Sequence, residues 1–328
     1  MNKIRWGVLS TANIGRTKVI PALQSSTYNQ VVAICSRDQA NARKVADELS
    51  IERAYGSYEA LLADPDIDAI YNPLPNHLHV DWSIKALEAG KHVLCEKPIG
   101  LDCADTQRLL DAAAAHPQLK VMEAFMYRFH PQWERAKELV NTKIGKLRQV
   151  HSHFAYNNRD TGNIRNLKSM GGGALMDIGC YSISVSRWLF NAEPLRVMAQ
   201  ITPFEGQEVD CQVSAIMEFA EGSASFTAAT KIEWMQYMEA FGEEGSVFLP
   251  LPFSPIADKT TQVLHKRDNE QQSYEIAPSD HYRDMGDAFA LSIINNTPVP
   301  TSLSDAMANM KIIDALFKSA EEARWITL

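Results

Sequence analysis

Through the first 123 residues, short apolar runs alternate with segments whose apolar residues recur at helical spacing. The runs at 4–9, 31–35, 69–71, 92–95 and 120–123 predict strands, and 14–24, 40–49, 58–62, 79–89 and 104–115 predict helices. Such alternation builds a mostly parallel sheet with helices on both faces. Gly90 falls just past the fourth helix, where a residue free to take positive φ ends the helical path. One more helix follows at 131–142, and then the period changes.

Leu195, Val197, Ala199 and Ile201 alternate with Arg196, Met198, Gln200 and Thr202, and 209–219 alternates likewise. A two-residue period means strands with two unlike faces. Similar runs occupy 148–156, 223–230, 236–241 and 247–249, with Gly242-Glu243-Glu244-Gly245 as the turn between the last two. This half predicts a large, mostly antiparallel open sheet, covered on one face by helices at 170–190, 280–295 and 304–323. A half-apolar sheet face is rarely left in water, so the other face calls for a second subunit. The expected class is α/β: a doubly wound parallel sheet over 1–123, then an α+β domain over 124–328 that binds substrate and forms a homodimer or larger homo-oligomer.

A length of 328 residues suits two domains, and 45% hydrophobic with 22% charged residues is ordinary for a soluble globular chain. The net charge of -8 offers no basic stripe to a nucleic acid, so an anionic ligand must be held by local donors. No apolar run approaches the roughly 20 residues that cross a bilayer, which predicts no membrane partner. No apolar leader precedes the first strand, and the expected location is the cytoplasm. Five scattered cysteines without C-x-x-C spacing predict reduced core thiols and no zinc.

Candidate chemistry begins at the first strand-to-helix turn, Ser10-Thr11-Ala12-Asn13-Ile14-Gly15. A dinucleotide fingerprint places G-x-G-x-x-G/A there, because small residues let the backbone approach a pyrophosphate at a helix N-terminus. Only Gly15 matches as glycine, and the turn taken alone also fits any tight βα connection. The second strand ends in Ser36-Arg37. An acid at that point would bind the ribose 2′-hydroxyl of NAD, whereas Arg accommodates a 2′-phosphate, so the pair points to NADP(H). Glu96-Lys97-Pro98 closes the fourth predicted strand, at the edge of an open α/β sheet where ligands sit, and Pro98 biases Lys97 to an extended conformation. Asp177 and Tyr181 are four apart (181 − 177) on a predicted helix that follows three glycines, so they share a face.

Glu96-Lys97-Pro98, the upstream Leu74-Pro75-Asn76-His77-Leu78-His79 and the later run from Gly171 to Tyr181 together resemble the glucose–fructose oxidoreductase/inositol dehydrogenase family over essentially the whole chain. The triple glycine and Tyr181 resemble the branch of dihydrodiol dehydrogenase and NADP-dependent xylose dehydrogenase. The resemblance implies a Rossmann domain, a C-terminal domain with an open sheet often used for dimerisation, and hydride exchange with a sugar-like hydroxyl or carbonyl carbon. It implies that Lys97 hydrogen-bonds the reacting oxygen, Tyr181 is the general acid/base and Asp177 orients substrate. It places Leu74, Pro75, Asn76, His79 and Glu96 along the cofactor, with Arg165 a further contact. Leu74, Ser10 and Ile164 depart from the Thr or Ser, Gly and Trp usual in the family.

The chemistry is coherent with those residues. Removing a hydride from an alcohol carbon requires loss of the hydroxyl proton, and a phenol (ordinary pKa about 10) ionises more readily beside an ammonium. Tyr181 can then accept or return the proton while Lys97 polarises the oxygen. Tyr282 is a further candidate for substrate contact. His151 and His153, two apart on a strand, lack the companions a metal site needs, and no metal is expected. Two other readings remain open: a non-catalytic NADP-binding sensor, and a reductase of a non-sugar carbonyl.

Overall fold

The computed structural model describes residues 3–206 and 208–328, so Met1, Asn2 and Gln207 lie outside it. The chain divides into two compact units, Met1–Met126 with Asp280–Met307, and Tyr127–Ser279 with Ala308–Leu328.

The first unit contains β1 (Ile4–Val8), α1 (Ile20–Gln24), β2 (Asn29–Cys35), α2 (Gln39–Glu48), β3 (Arg53–Tyr55), α3 (Tyr58–Leu62), β4 (Ala69–Asn72), α4 (His79–Glu88), β5 (His92–Cys95), α5 (Cys103–Ala115) and β6 (Val121–Glu123). Its six strands run in parallel in the order β3-β2-β1-β4-β5-β6, the doubly wound arrangement expected. The strand order reverses between β1 and β4, and that switch point is where ligands of such sheets sit. Side-chain caps start the helices: Asp38 accepts from the Ala40 and Asn41 N–H groups, Ser57 from Ala60 and Asp102 from Asp105. β3 was not legible from the pattern, because it is a three-residue edge strand that is only half-buried.

The second unit contains α6 (Pro131–Thr142), β7 (Leu147–Asn157), α7 (Cys180–Phe190), β8 (Arg196–Pro203), β9 (Asp210–Phe219), β10 (Gly222–Ala229), β11 (Lys231–Gly242), β12 (Ser246–Leu249), β13 (Thr261–Arg267) and β14 (Glu270–Ile276). The chain then forms α8 (His281–Ile294), α9 (Leu303–Glu322) and β15 (Ile326–Thr327). Nine strands in the order β14-β13-β12-β11-β7-β10-β9-β8-β15 pair antiparallel except β7 with β10. α7 and the turn before it cover β7, β9 and β10, while α6 covers β12 and β13. The β13–β14 hairpin escapes the sequence pattern because β14 is nearly all exposed and polar. On the opposite face of the sheet, Met198 and Ile216 stay exposed among polar neighbours.

One expected element lies elsewhere. α8 does not cover the second sheet; it completes the first unit. Phe289 packs against Trp6 with ring centroids 5.6 Å apart, Asn29 donates to Asp287 Oδ1 at 2.8 Å, and a Cβ on Gly286 would collide with Leu23. Helical periodicity shows that a buried face exists, not which distant strand it meets. The cysteine expectation also needs narrowing: all five are free, but Cys103 and Cys211 are only half-buried.

Candidate functional site

The residues singled out form two groups, one in each unit. In the first unit, β1 runs into a turn where Ser10 adopts φ 74°, a left-handed conformation natural to the glycine it replaces. Its hydroxyl accepts from the Ala12 N–H at 3.2 Å, which closes the turn. A π-helical turn, Gly15–Val19, follows and leads into α1. Beside it, the Asn41 amide donates to Thr11 Oγ1 (2.9 Å) and to Ser36 Oγ (3.2 Å). Both hydroxyl oxygens act as acceptors there, so their own hydrogens point to other partners. Asp38, which follows Arg37, is occupied in capping α2. Arg37 borders a cavity of about 340 Å³ with Gly56, Ser57, Tyr58, Glu59 and Trp82. The Thr11 and Ser36 hydroxyls, the Arg37 guanidinium and the Tyr58 and Trp82 rings are groups that suit a 2′-phosphorylated adenosine.

The loops after β4 and β5 are tied together. His79, 1% exposed, sets its ring nitrogens 2.8 Å from the Pro98 carbonyl and 2.7 Å from the Leu74 carbonyl. Burial pulls this imidazole down to about 4, against the opposing effect of the two carbonyls. His79 therefore lies beneath the loops and joins the Leu74-Pro75-Asn76 segment to Lys97-Pro98. Leu74 is buried as well. Glu96 donates its N–H to Asn72 and accepts from the Tyr71 hydroxyl at 2.7 Å, while Ile99 N–H donates to Glu123 Oε1 at 2.8 Å. Lys97 is thus held between two anchored neighbours. Tyr282 faces Glu96, and burial first, then that charge, raises its phenol.

In the second unit, a π-helical turn, Leu175–Gly179, precedes α7 and carries Asp177, with Tyr181 in the first turn of α7. Such widened turns recur at functional sites because they re-aim side chains. Asp177 Oδ2 accepts from the Tyr156 hydroxyl at 2.5 Å, and Oδ1 from Arg165 Nε at 3.2 Å. The Tyr156 phenol is pushed up by burial and then by Asp177. Arg165, a cofactor contact in the sequence reading, sets its Nε against the Asp177 carboxylate. Tyr181 is 4% exposed, its ring against Phe154, Tyr127 and Phe253 at 5.6, 5.7 and 5.4 Å. The glycines before the turn permit close approach: Gly173 N–H donates to Arg165 O at 2.9 Å, and a Cβ on Gly172 would lie 2.5 Å from that oxygen. Among the described residues, no group of three or more His, Cys, Asp or Glu side chains could hold a metal ion. None of the described helices is long and apolar enough to cross a membrane.

Comparison with known proteins decides what these groups belong to. Residues 4–125 match the GFO/IDH/MocA oxidoreductase family with its NAD-binding Rossmann fold, and residues 133–248 match the C-terminal domain of the same family. This chain belongs to the Gfo/Idh/MocA family. It is similar to a D-xylose 1-dehydrogenase (NADP(+)) of Haloferax volcanii, 38% identical over 98% of this chain and 99% of that one. It is also similar to a trans-1,2-dihydrobenzene-1,2-diol dehydrogenase of Xenopus laevis, 29% identical over 94% of this chain and 98% of the relative. Among solved structures, the 3-ketoreductase KijD10 of Actinomadura kijaniata, in complex with NADP and TDP-benzene, matches with a TM-score of 0.91, 29% identity and 97% and 98% coverage. As a Gfo/Idh/MocA protein the chain is an oxidoreductase with a nicotinamide-dinucleotide domain.

Tyr156 and the anchors Tyr71, Asn72 and Glu123 were missed as site residues in the sequence. Tyr156 shares the inward face of β7 with Phe154, which was a usable signal. The others act through contacts between strands that no local spacing reveals.

Proposed function

We propose that the protein is an NADP(H)-dependent dehydrogenase or reductase acting on a CH–OH or C=O carbon of a sugar, a related polyol or a dihydrodiol. The observation that carries this reading is a buried carboxylate, Asp177, one turn from a buried phenol, Tyr181, on a single helical stretch. NADP supplies or accepts the hydride when bound. Lys97 polarises the reacting oxygen, and Tyr181 takes its proton in oxidation or returns it in reduction. Asp177 accepts a neighbouring hydroxyl of the substrate, its orientation fixed by Tyr156 and Arg165. Ser36, Arg37 and Thr11 take the 2′-phosphate, and the Ser10–Ile14 turn takes the pyrophosphate.

Relatives support these roles. KijD10 has been solved with a lysine replaced by alanine and with a tyrosine replaced by phenylalanine, 84 positions apart in its chain. Lys97 and Tyr181 are also 84 apart (181 − 97).

The test is a panel of aldoses, polyols and a trans-dihydrodiol with NADP+ and NAD+, following the absorbance of the reduced nicotinamide. Tyr181→Phe and Lys97→Ala are expected to lower kcat by roughly 10²- to 10⁴-fold, the usual scale of acid–base assistance. Arg37→Ala is expected to weaken NADPH binding and leave NADH binding unchanged. Full activity in Tyr181→Phe would overturn the proposed proton transfer.

A further inference from the structure

Asp210 opens β9, 35 residues from the helical segment it touches. Its carboxylate is 7% exposed and accepts the Leu175 N–H at 2.7 Å; the Ala174 N–H is also directed to it. These are among the first amides of the segment that carries Asp177 and Tyr181, the groups that lack a partner within their own helix. A carboxylate at that end satisfies them and suits the positive end of the helix dipole. An ordinary cap is the residue just before the helix. Here the capping group is delivered from another strand, so it fixes the segment against the sheet.

The fit on the other side is equally close. Gly173, at φ +117°, lies so near Asp210 Oδ1 that any Cβ would collide with it, and the neighbouring Gly172 abuts the Arg165 carbonyl. The start of the segment is therefore gripped between Asp210 and the backbone of the residue whose side chain pairs with Asp177. Burial without an ion pair is unfavourable for a carboxylate and pushes Asp210 up to about 6. Besides its own amide, the side chain accepts from the Leu175 and Ala174 amides, and a buried carboxylate kept at that place points to a task at the segment.

We infer that Asp210 is a positioning residue, setting the height and rotation of the Leu175–Tyr181 stretch and hence the presentation of Asp177 and Tyr181. The inference rests on the proposed roles of those two residues.

Asp210→Ala, Asp210→Asn and Tyr181→Phe test it together, each read by steady-state kinetics on the sugar panel, NADPH titration and amide hydrogen exchange. Asp210→Ala is expected to lose about 10- to 100-fold in kcat, the scale of a small misplacement, with substrate KM and NADPH affinity within twofold of the parent. Exchange should quicken across 174–181 and not elsewhere. Asp210→Asn keeps one acceptor oxygen and should recover most of the loss. It also serves as the readable variant should the alanine form fail to fold, with kcat between those of the parent and Tyr181→Phe and exchange at 174–181 faster than in the parent. Parental kcat and parental protection of 174–181 in Asp210→Ala, or in Asp210→Asn where the alanine form does not fold, would overturn the inference. A loss in Tyr181→Phe without one in Asp210→Ala counts against Asp210 alone. Full activity in Tyr181→Phe counts against the proton-transfer role, and exchange at 174–181 then decides the positioning claim.

Discussion

A buried carboxylate raised to about 6 leaves a thermodynamic trace that can be read without a substrate. Asp210 has an ordinary value of 3.8, so between these two values the unfolded chain ionises while the folded one stays protonated. The folded state then binds more protons, and stability is lost as pH rises through that window. At neutral pH the penalty is about 3 kcal/mol. Asp210→Asn does not titrate, so the stability difference between variant and parent should move in the variant's favour by that amount from about pH 4 to about pH 7. Urea unfolding at both pH values checks this; a constant difference would contradict it. The sequence offered Lys97, Asp177 and Tyr181 as candidates because Glu96-Lys97-Pro98 and the run from Gly171 to Tyr181 together resemble a family pattern. Asp210 and Tyr156 were not offered, because each lies on a strand and acts through a helical segment distant in sequence.

A π-helical turn adjoins each group of candidate residues: Gly15–Val19 follows the Ser10–Ile14 turn, and Leu175–Gly179 carries Asp177. Sequence periodicity predicted helices at both places and could not show the widened turn, since one extra residue hardly changes an apolar stripe. The strands followed a similar rule. Those with a buried face, such as β9 and β10, were read nearly to their ends, whereas the half-buried β3 and the polar β13–β14 hairpin carried no alternation to read. The open sheet face gives an element-level expectation. Ile216 is 46% exposed and Met198 36% on adjoining strands, and we propose that a second copy of the chain covers them. Ile216→Arg should shift the protein towards a monomer in sedimentation velocity without changing NADPH affinity. A parent that is already monomeric at micromolar concentration would refute the proposal.

At the scale of the molecule, the first unit is discontinuous. Its β1 and α1 surfaces are finished by α8, through Phe289 on Trp6, Asp287 on Asn29 and Gly286 on Leu23. A fragment ending at residue 126 should therefore expose these positions, aggregate on expression and bind NADPH poorly; the intact chain is the control. A soluble fragment with full affinity would show that α8 is dispensable. The same discontinuity sets a clock on biosynthesis. After residue 126 leaves the ribosome, another 154 residues (280 − 126) must be translated before the missing helix begins. At roughly 5–20 residues per second that is a delay of about 8 to 30 seconds. Throughout it the nascent nucleotide-binding sheet carries an uncovered apolar flank, which makes it a natural client for a chaperone that holds unfinished chains.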